Sequence, residues 1–192
     1  MAKLFLSGAL FFSLAACTLN NAKAQTNAQY GQDSVEYMKQ CIEFIRQVKQ
    51  KDLSDTNFIL EDKPCYDCAE AADSAMFTRE ELDFIVNKKF PSISKWTNEM
   101  FPNIKIISSD TVRAIFNGKD WKDWEREWDY FYKNIGSGFN DFSAPIFLRN
   151  YTYCLFYSAH FCGDLCGESR LDLYKKENGK WIDVKNYYVA LE

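Results

Sequence analysis

Apolar and polar positions along this chain follow two different rhythms, and the change falls near residue 138. In the stretch 33–50, Val35, Met38, Ile42, Ile45 and Val48/Lys49 recur at intervals of three and four, the spacing of one helix face. Asp33 or Ser34 supplies an N-cap there, and Cys41 neighbours the stripe and reads as buried or bridged. Residues 52–70 carry no period, and Pro64, Cys65 and Cys68 mark them as a loop pinned by its cysteines. Thr78-Arg79-Glu80-Glu81 is a capping box, in which hydroxyl and carboxylate satisfy each other's free backbone donors. It predicts a helix over about 79–89 that stops before Pro91. Ile104–Ile107 suits a short strand, and Ser109 or Asp110 caps a short helix that ends at Asn117-Gly118. In 121–135, Trp121, Trp124, Trp128 and Phe131/Tyr132 fall on one helical face. They read as a core seam backed by Asp123, Glu125, Arg126 and Glu127, in preference to a row for stacking sugars.

Beyond Gly136-Ser137-Gly138 the segments become short and rich in aromatic or β-branched residues. Strands are expected at Ala144–Leu148, Thr152–Ala159, Arg170–Lys175 and Lys180–Val184. Asn178-Gly179 tolerates the two positive φ values of a type I′ turn, so it should join the last two as an antiparallel hairpin. Arg149-Asn150-Tyr151 is a second turn. The expected fold class is α+β: a helix-rich N-terminal half packed on a three- to four-stranded antiparallel meander at the C-terminus.

The first two dozen residues change the picture of where the chain matures. Lys3 precedes an apolar run from Leu4 to Ala16, too short to span a bilayer as a helix, and small residues follow. That is a secretory leader. Two processing points fit. Leu14-Ala15-Ala16-Cys17 matches a lipobox, which would remove 1–16, acylate Cys17 and leave 17–32 as a polar tether. Ala22-Lys23-Ala24 fits ordinary cleavage and would remove 1–24. On either reading 33–192 forms one globular domain. The expected location is the cell envelope facing the periplasm, by a lipid anchor, or the soluble periplasmic or secreted fraction. The lipid on Cys17 would be the chain's sole membrane contact.

The whole chain carries 23 Lys and Arg against 27 Asp and Glu, a net charge of −4, which loss of Lys3 takes to −5 and loss of Lys23 to −6. An acidic chain without a basic run excludes nucleic acid as a partner. Aromatic residues make up 17% of it, enough to fill a core. Six cysteines remain once Cys17 is set aside: Cys41, Cys65, Cys68, Cys154, Cys162 and Cys166. An even number in an exported chain predicts disulfides, with about 15 pairings open.

Three chemistries compete for these residues. Cys65-Tyr66-Asp67-Cys68 has the spacing of a redox pair, but Pro64 precedes it, no strand is evident upstream, and Asp67 would raise a thiol's pKa; a structural bridge is favoured. Cys65 and Cys68 with Cys162 and Cys166 have the spacing of two zinc knuckles, against which an oxidising compartment competes. His160, the sole histidine, lies two residues from Cys162, which allows a Cys-His nucleophile, or a metal site with Asp164 or Glu168. Nucleophile elbow, phosphate loop, dinucleotide fingerprint and His-Glu-x-x-His are all missing, so no cofactor is expected.

Phe142-Ser143-Ala144-Pro145-Ile146-Phe147, then Cys162-Gly163-Asp164-Leu165-Cys166-Gly167, then Leu173 to Trp181 with its Asn-Gly-Lys-Trp turn, resemble the ending of small uncharacterised exported bacterial proteins or lipoproteins. The resemblance covers about residues 140–184 and implies export, with no activity attached. The favoured expectation is a disulfide-stabilised, non-enzymatic module that binds a protein or small ligand. The alternatives are a thiol enzyme using Cys65/Cys68, or Cys162 with His160, and a zinc-binding protein.

Overall fold

The first described helix, α1 (Ser34–Val48), begins where Asp33 Oδ1 accepts the Val35 amide at 2.8 Å, as its sequence predicts. Its buried face is Tyr37, Cys41, Phe44 and Ile45, whereas Val35 is 76% exposed. The helix is thus rotated from the expected stripe, because two aromatic rings bury more apolar area than Val35 and Ile42. Phe44 meets Phe147, Phe156, Tyr174 and Trp181 edge to face, with centroids 5.2–5.9 Å away. A computed structural model describes residues 33–68, 75–118, 120–163 and 166–191. The leader, Cys17 and Asp164 lie outside these residues.

The remaining elements are α2 (Gln50–Leu53), β1 (Ile59–Glu61), α3 (Arg79–Val86), β2 (Lys105–Ile107), α4 (Ser109–Ile115), α5 (Trp121–Asn134), β3 (Phe139–Phe142), β4 (Ile146–Leu148), β5 (Tyr153–Phe161), β6 (Gly167–Glu177) and β7 (Lys180–Leu191). All seven strands form one sheet in the order β2-β1-β3-β5-β6-β7, with β4 also paired to β5. β1 runs parallel to both β2 and β3; the other pairs are antiparallel.

This overturns the expected fold class. The N-terminal half is not a helical layer laid on a C-terminal meander. It contributes two strands, β1 and β2, to a seven-stranded mixed sheet, and the five helices are short. β1 escapes notice because three residues carry no period, and a central strand buried on both faces lacks alternation. β3 was likewise not expected, since Phe139-Asn140-Asp141-Phe142 carries two polar residues at its centre. Other local signals agree with the structure. Thr78 and Glu81 form the capping box of α3. Asn178 and Gly179 take φ values of 51° and 78°, and Arg149, Asn150 and Tyr151 turn through φ values of 50°, 54° and 58°.

The register separates the two faces. Asn140 pairs with His160, Phe142 with Ser158 and Phe139 with Phe161, so Phe142, Ser158, Asn140 and His160 share one face and Phe139 lies on the other. α1 covers the first face through Phe44 on Phe156, which itself abuts Phe142. α4 and α5 cover the second, where Val112, Trp128 and Phe131 pack on Ile59, Ile107 and Phe139. The tryptophan seam is therefore only half right: Trp128 and Phe131 are core, while Trp124 is 51% exposed and Tyr132 is also open to solvent. No helix among the described residues is long and apolar enough to cross a membrane.

Candidate functional site

The face covered by α1 is only partly roofed. Beyond the helix's C-terminal end, a polar cleft of about 420 Å³ lies over the sheet. Its floor is Asn140 of β3, Ser158 and His160 of β5, and Glu168 and Arg170 of β6, neighbours because 140 faces 160, 160 faces 168 and 158 faces 170. Lys49, Asp52, Asp55 and Phe58, from the stretch joining α1 to β1, form the rim. The inward-pointing face of a sheet ordinarily carries apolar residues here, so a polar floor is a departure from core patterning.

His160 is held in one orientation. Asn140 Nδ2 donates to the Ile59 carbonyl at 2.9 Å, which leaves Asn140 Oδ1 facing His160 Nδ1 at 3.1 Å. An amide oxygen only accepts, so Nδ1 donates and, in the neutral ring, Nε2 keeps the lone pair. Arg170 is tied to its own strand: Nε and Nη2 donate to buried Asp172 at 3.1 and 3.3 Å, and Asp183 and Glu168 lie 3.5 and 3.6 Å away. Asn186 Nδ2 completes Asp172 at 2.5 Å. Lys49 pairs with Asp52 at 3.6 Å, and Asp55 accepts the Asn57 amide. Two cations, Lys49 and Arg170, thus stand against three carboxylates, Asp52, Asp55 and Glu168, so the cleft presents both charges without a strong net sign.

The sequence-derived cysteine candidates divide into four bridged and two free. Cys65–Cys68 and Cys162–Cys166 are disulfides, with Cα atoms 5.7 and 5.0 Å apart. Cys41 and Cys154, also offered as disulfide candidates, are free buried thiols. Burial pushes both thiols well up, that of Cys154 further raised by the neighbouring Cys41, so neither ionises to react. The four-thiolate zinc site fails on geometry. The Cys65 amide bonds the Phe142 carbonyl at one end of β3, whereas Cys162 follows Phe161, which pairs with Phe139 at the other end. The Cys162–His160 nucleophile fails because Cys162 spends its sulfur on Cys166. Glu168 does stand beside His160 across β5 and β6, while Asp164 lies outside the described residues.

One arrangement was not evident from sequence. Asp141 of β3 brings a carboxyl oxygen within 4.8 Å of both Cys65 and Cys68 sulfurs, which are likewise within 4.8 Å of each other. Its Oδ1 is buried and has no hydrogen-bond partner among the described residues, an arrangement that ordinarily costs about 1–3 kcal/mol. Burial, with the Glu61 charge beside it, pushes the Asp141 carboxyl up to about 7 against the pull of the Phe142 and Cys65 amides. Glu61 is raised too, by its own burial first and by Asp62. The cue available in sequence was an acid in Phe-Asn-Asp-Phe, but its meeting with Cys65 depends on β1 pairing with β3. Comparison of the chain with models of protein families, with curated proteins and with solved structures finds no match.

Proposed function

We propose that this chain is an exported binding module whose site is the cleft over Asn140, Ser158, His160, Glu168 and Arg170, and that it takes a small polar molecule of low net charge, neutral or zwitterionic. The observation that carries the reading is the floor itself: five polar side chains of three adjacent strands, with the His160 ring oriented through Asn140 to a backbone carbonyl. Convergent, pre-oriented polar groups over a concave surface are how small-ligand sites fix orientation. The balance of cations and carboxylates disfavours a polyanion such as a nucleotide, and Phe58 offers one apolar surface at the rim. Export is supported by the leader and by two disulfides, bonds that persist outside reducing compartments.

Because His160 is the sole histidine, its imidazole resonances report the cleft without ambiguity. Titration with a neutral hexose, a zwitterionic amino acid and inorganic phosphate should give a saturable His160 shift with one of the first two and none with phosphate. Silence with all three probes, or a response to phosphate alone, sinks the reading. The export half is tested by intact mass of protein from cell envelopes, with and without reductant. A leader-free chain, with or without acyl groups and gaining four hydrogens on reduction, is expected; an intact initiator methionine refutes it.

A further inference from the structure

Pro64, Asp67 and the want of an evident upstream strand all spoke in the sequence against a redox pair at Cys65/Cys68. The structure supplies that strand. β1 ends at Glu61, and Cys65 follows four residues later, with its amide bonded to Phe142 of the adjacent parallel strand β3. The bridge is only half-buried, so a thiol of a partner chain can reach it, and Asp141 beside it is half-buried too but keeps its Oδ1 out of solvent. A buried carboxyl oxygen left without a partner beside a staple is an expense that packing alone does not explain.

We infer that Cys65–Cys68 is a thiol–disulfide exchange site, with Asp141 as the group that gives a proton to the departing thiolate and takes it back, and with a dithiol-bearing peptide or protein as co-reactant. In one direction a substrate thiolate attacks one sulfur of the bridge; the Cys65–Cys68 bond breaks as a mixed disulfide forms. The departing thiolate takes the Asp141 proton. The second substrate thiolate then attacks the mixed disulfide, releases the other protein thiolate to be protonated by solvent, and leaves as a disulfide. Two electrons pass from substrate to protein, and two protons follow. The reverse sequence oxidises the pair, with the Asp141 carboxylate removing the thiol proton. The carboxyl, held near 7 by burial and by Glu61, is divided between acid and base at neutral pH and can serve both directions. This role is independent of the cleft, whose residues lie on the opposite face of β3 from Asp141.

The test uses the full exported chain with both disulfides formed and a synthetic peptide carrying two cysteines. Reduced peptide is added at pH 7, aliquots are acid-quenched and alkylated, and each bridge is followed by mass. Cys65–Cys68 should open at least ten-fold faster than Cys162–Cys166 while the fold stays intact. With oxidised peptide, Cys65→Ser or Cys68→Ser should hold a mixed disulfide that the wild type resolves. Asp141→Asn should slow exchange about ten-fold at pH 7 and abolish an inflection near neutral pH. Glu61→Gln, which leaves Asp141 and both cysteines in place, should move that inflection to lower pH. Equal opening of the two bridges, a profile unchanged in Asp141→Asn, or zinc uptake by the reduced chain that blocks reoxidation by peptide would each overturn the proposal.

Discussion

The two bridged loops are nearly the same object in sequence and very different ones in space. Each closes a ring of a few residues, with two intervening positions in Cys65–Cys68 and three in Cys162–Cys166. They sit at opposite ends of β3. The first lies beside Asp141, which feels the charge of Glu61, and both carboxyls are raised chiefly by burial. The second ties the connection between β5 and β6, where the Cys162 amide donates to the Cys166 carbonyl at 2.8 Å and the Tyr132 hydroxyl donates to the Cys162 carbonyl at 2.6 Å. These bonds around the second loop hold its backbone. Around the first, Asp141 keeps a buried Oδ1 that has no hydrogen-bond partner among the described residues. Cysteine spacing is therefore silent about chemistry here, and the neighbour brought in by another strand decides it.

The largest test of that contrast is thermodynamic. A carboxyl at about 7 in the fold, against an ordinary 3.8, means the folded chain binds a proton that the unfolded chain releases. Stability from this group is complete below about pH 4 and is lost as pH rises through about 7, a fall on the order of 4 kcal/mol. Asp141→Asn, neutral at every pH, should be more stable than wild type at pH 8 by up to about 4 kcal/mol and differ little at pH 4. Urea unfolding at pH 4, 6 and 8 measures it. A pH-independent difference would mean that Asp141 is solvated or paired after all.

Removing the bridges comes next. In the chain-entropy account a ring this small is worth about 2 kcal/mol, provided that the folded state keeps it unstrained and the unfolded chain feels the constraint. Cys162→Ser/Cys166→Ser should cost about that amount. Cys65→Ser/Cys68→Ser should cost about 1 kcal/mol or less, because a pair that cycles between states must leave the fold intact in both. Thermal melts of the two double variants decide it; the reverse order would make Cys65–Cys68 the structural staple.

What the sequence disclosed, and what it hid, follows the same physics. Turns and caps were legible because their chemistry is local: Thr78 with Glu81, Asn178 with Gly179, Asp33 ahead of α1. The order of β4 to β7 was legible because those strands follow one another through short turns. β1 and β2 could not show the sheet they join, since their partners lie 45 to 80 residues away and three residues make no rhythm. Cys65 and Cys68 were visible as a pair, and His160 and Cys162 as neighbours. Asp141 was not, because nothing local distinguishes a surface acid from one folded beneath a disulfide. Nor was the cleft, which needs Asn140, His160 and Glu168 from three strands in register.

Within the second loop, Gly163 carries φ of 133°, a region that side chains avoid, and a Cβ there would run into the Tyr132 hydroxyl. Gly163→Ala should destabilise by about 1–2 kcal/mol and loosen the turn between β5 and β6. The measurement is an unfolding curve at pH 7, read beside that of Cys162→Ser/Cys166→Ser. If the bridge and the glycine act on one backbone conformation, combining the changes should cost less than the two separately.

The smallest effect isolates the second loop most cleanly. Tyr132 gives its hydroxyl to the Cys162 carbonyl from an exposed position on α5, so Tyr132→Phe removes one hydrogen bond that water can partly replace. About 0.5–1 kcal/mol should be lost, with faster hydrogen exchange at the Cys162 and Cys166 amides. The rate at which Cys65–Cys68 opens to a dithiol peptide should not move, because β3 separates the two loops and they share no partner among the described residues. A changed rate would show that the loops communicate through β3. Their difference would then belong to the sheet as a whole and not to the acid beneath one of them.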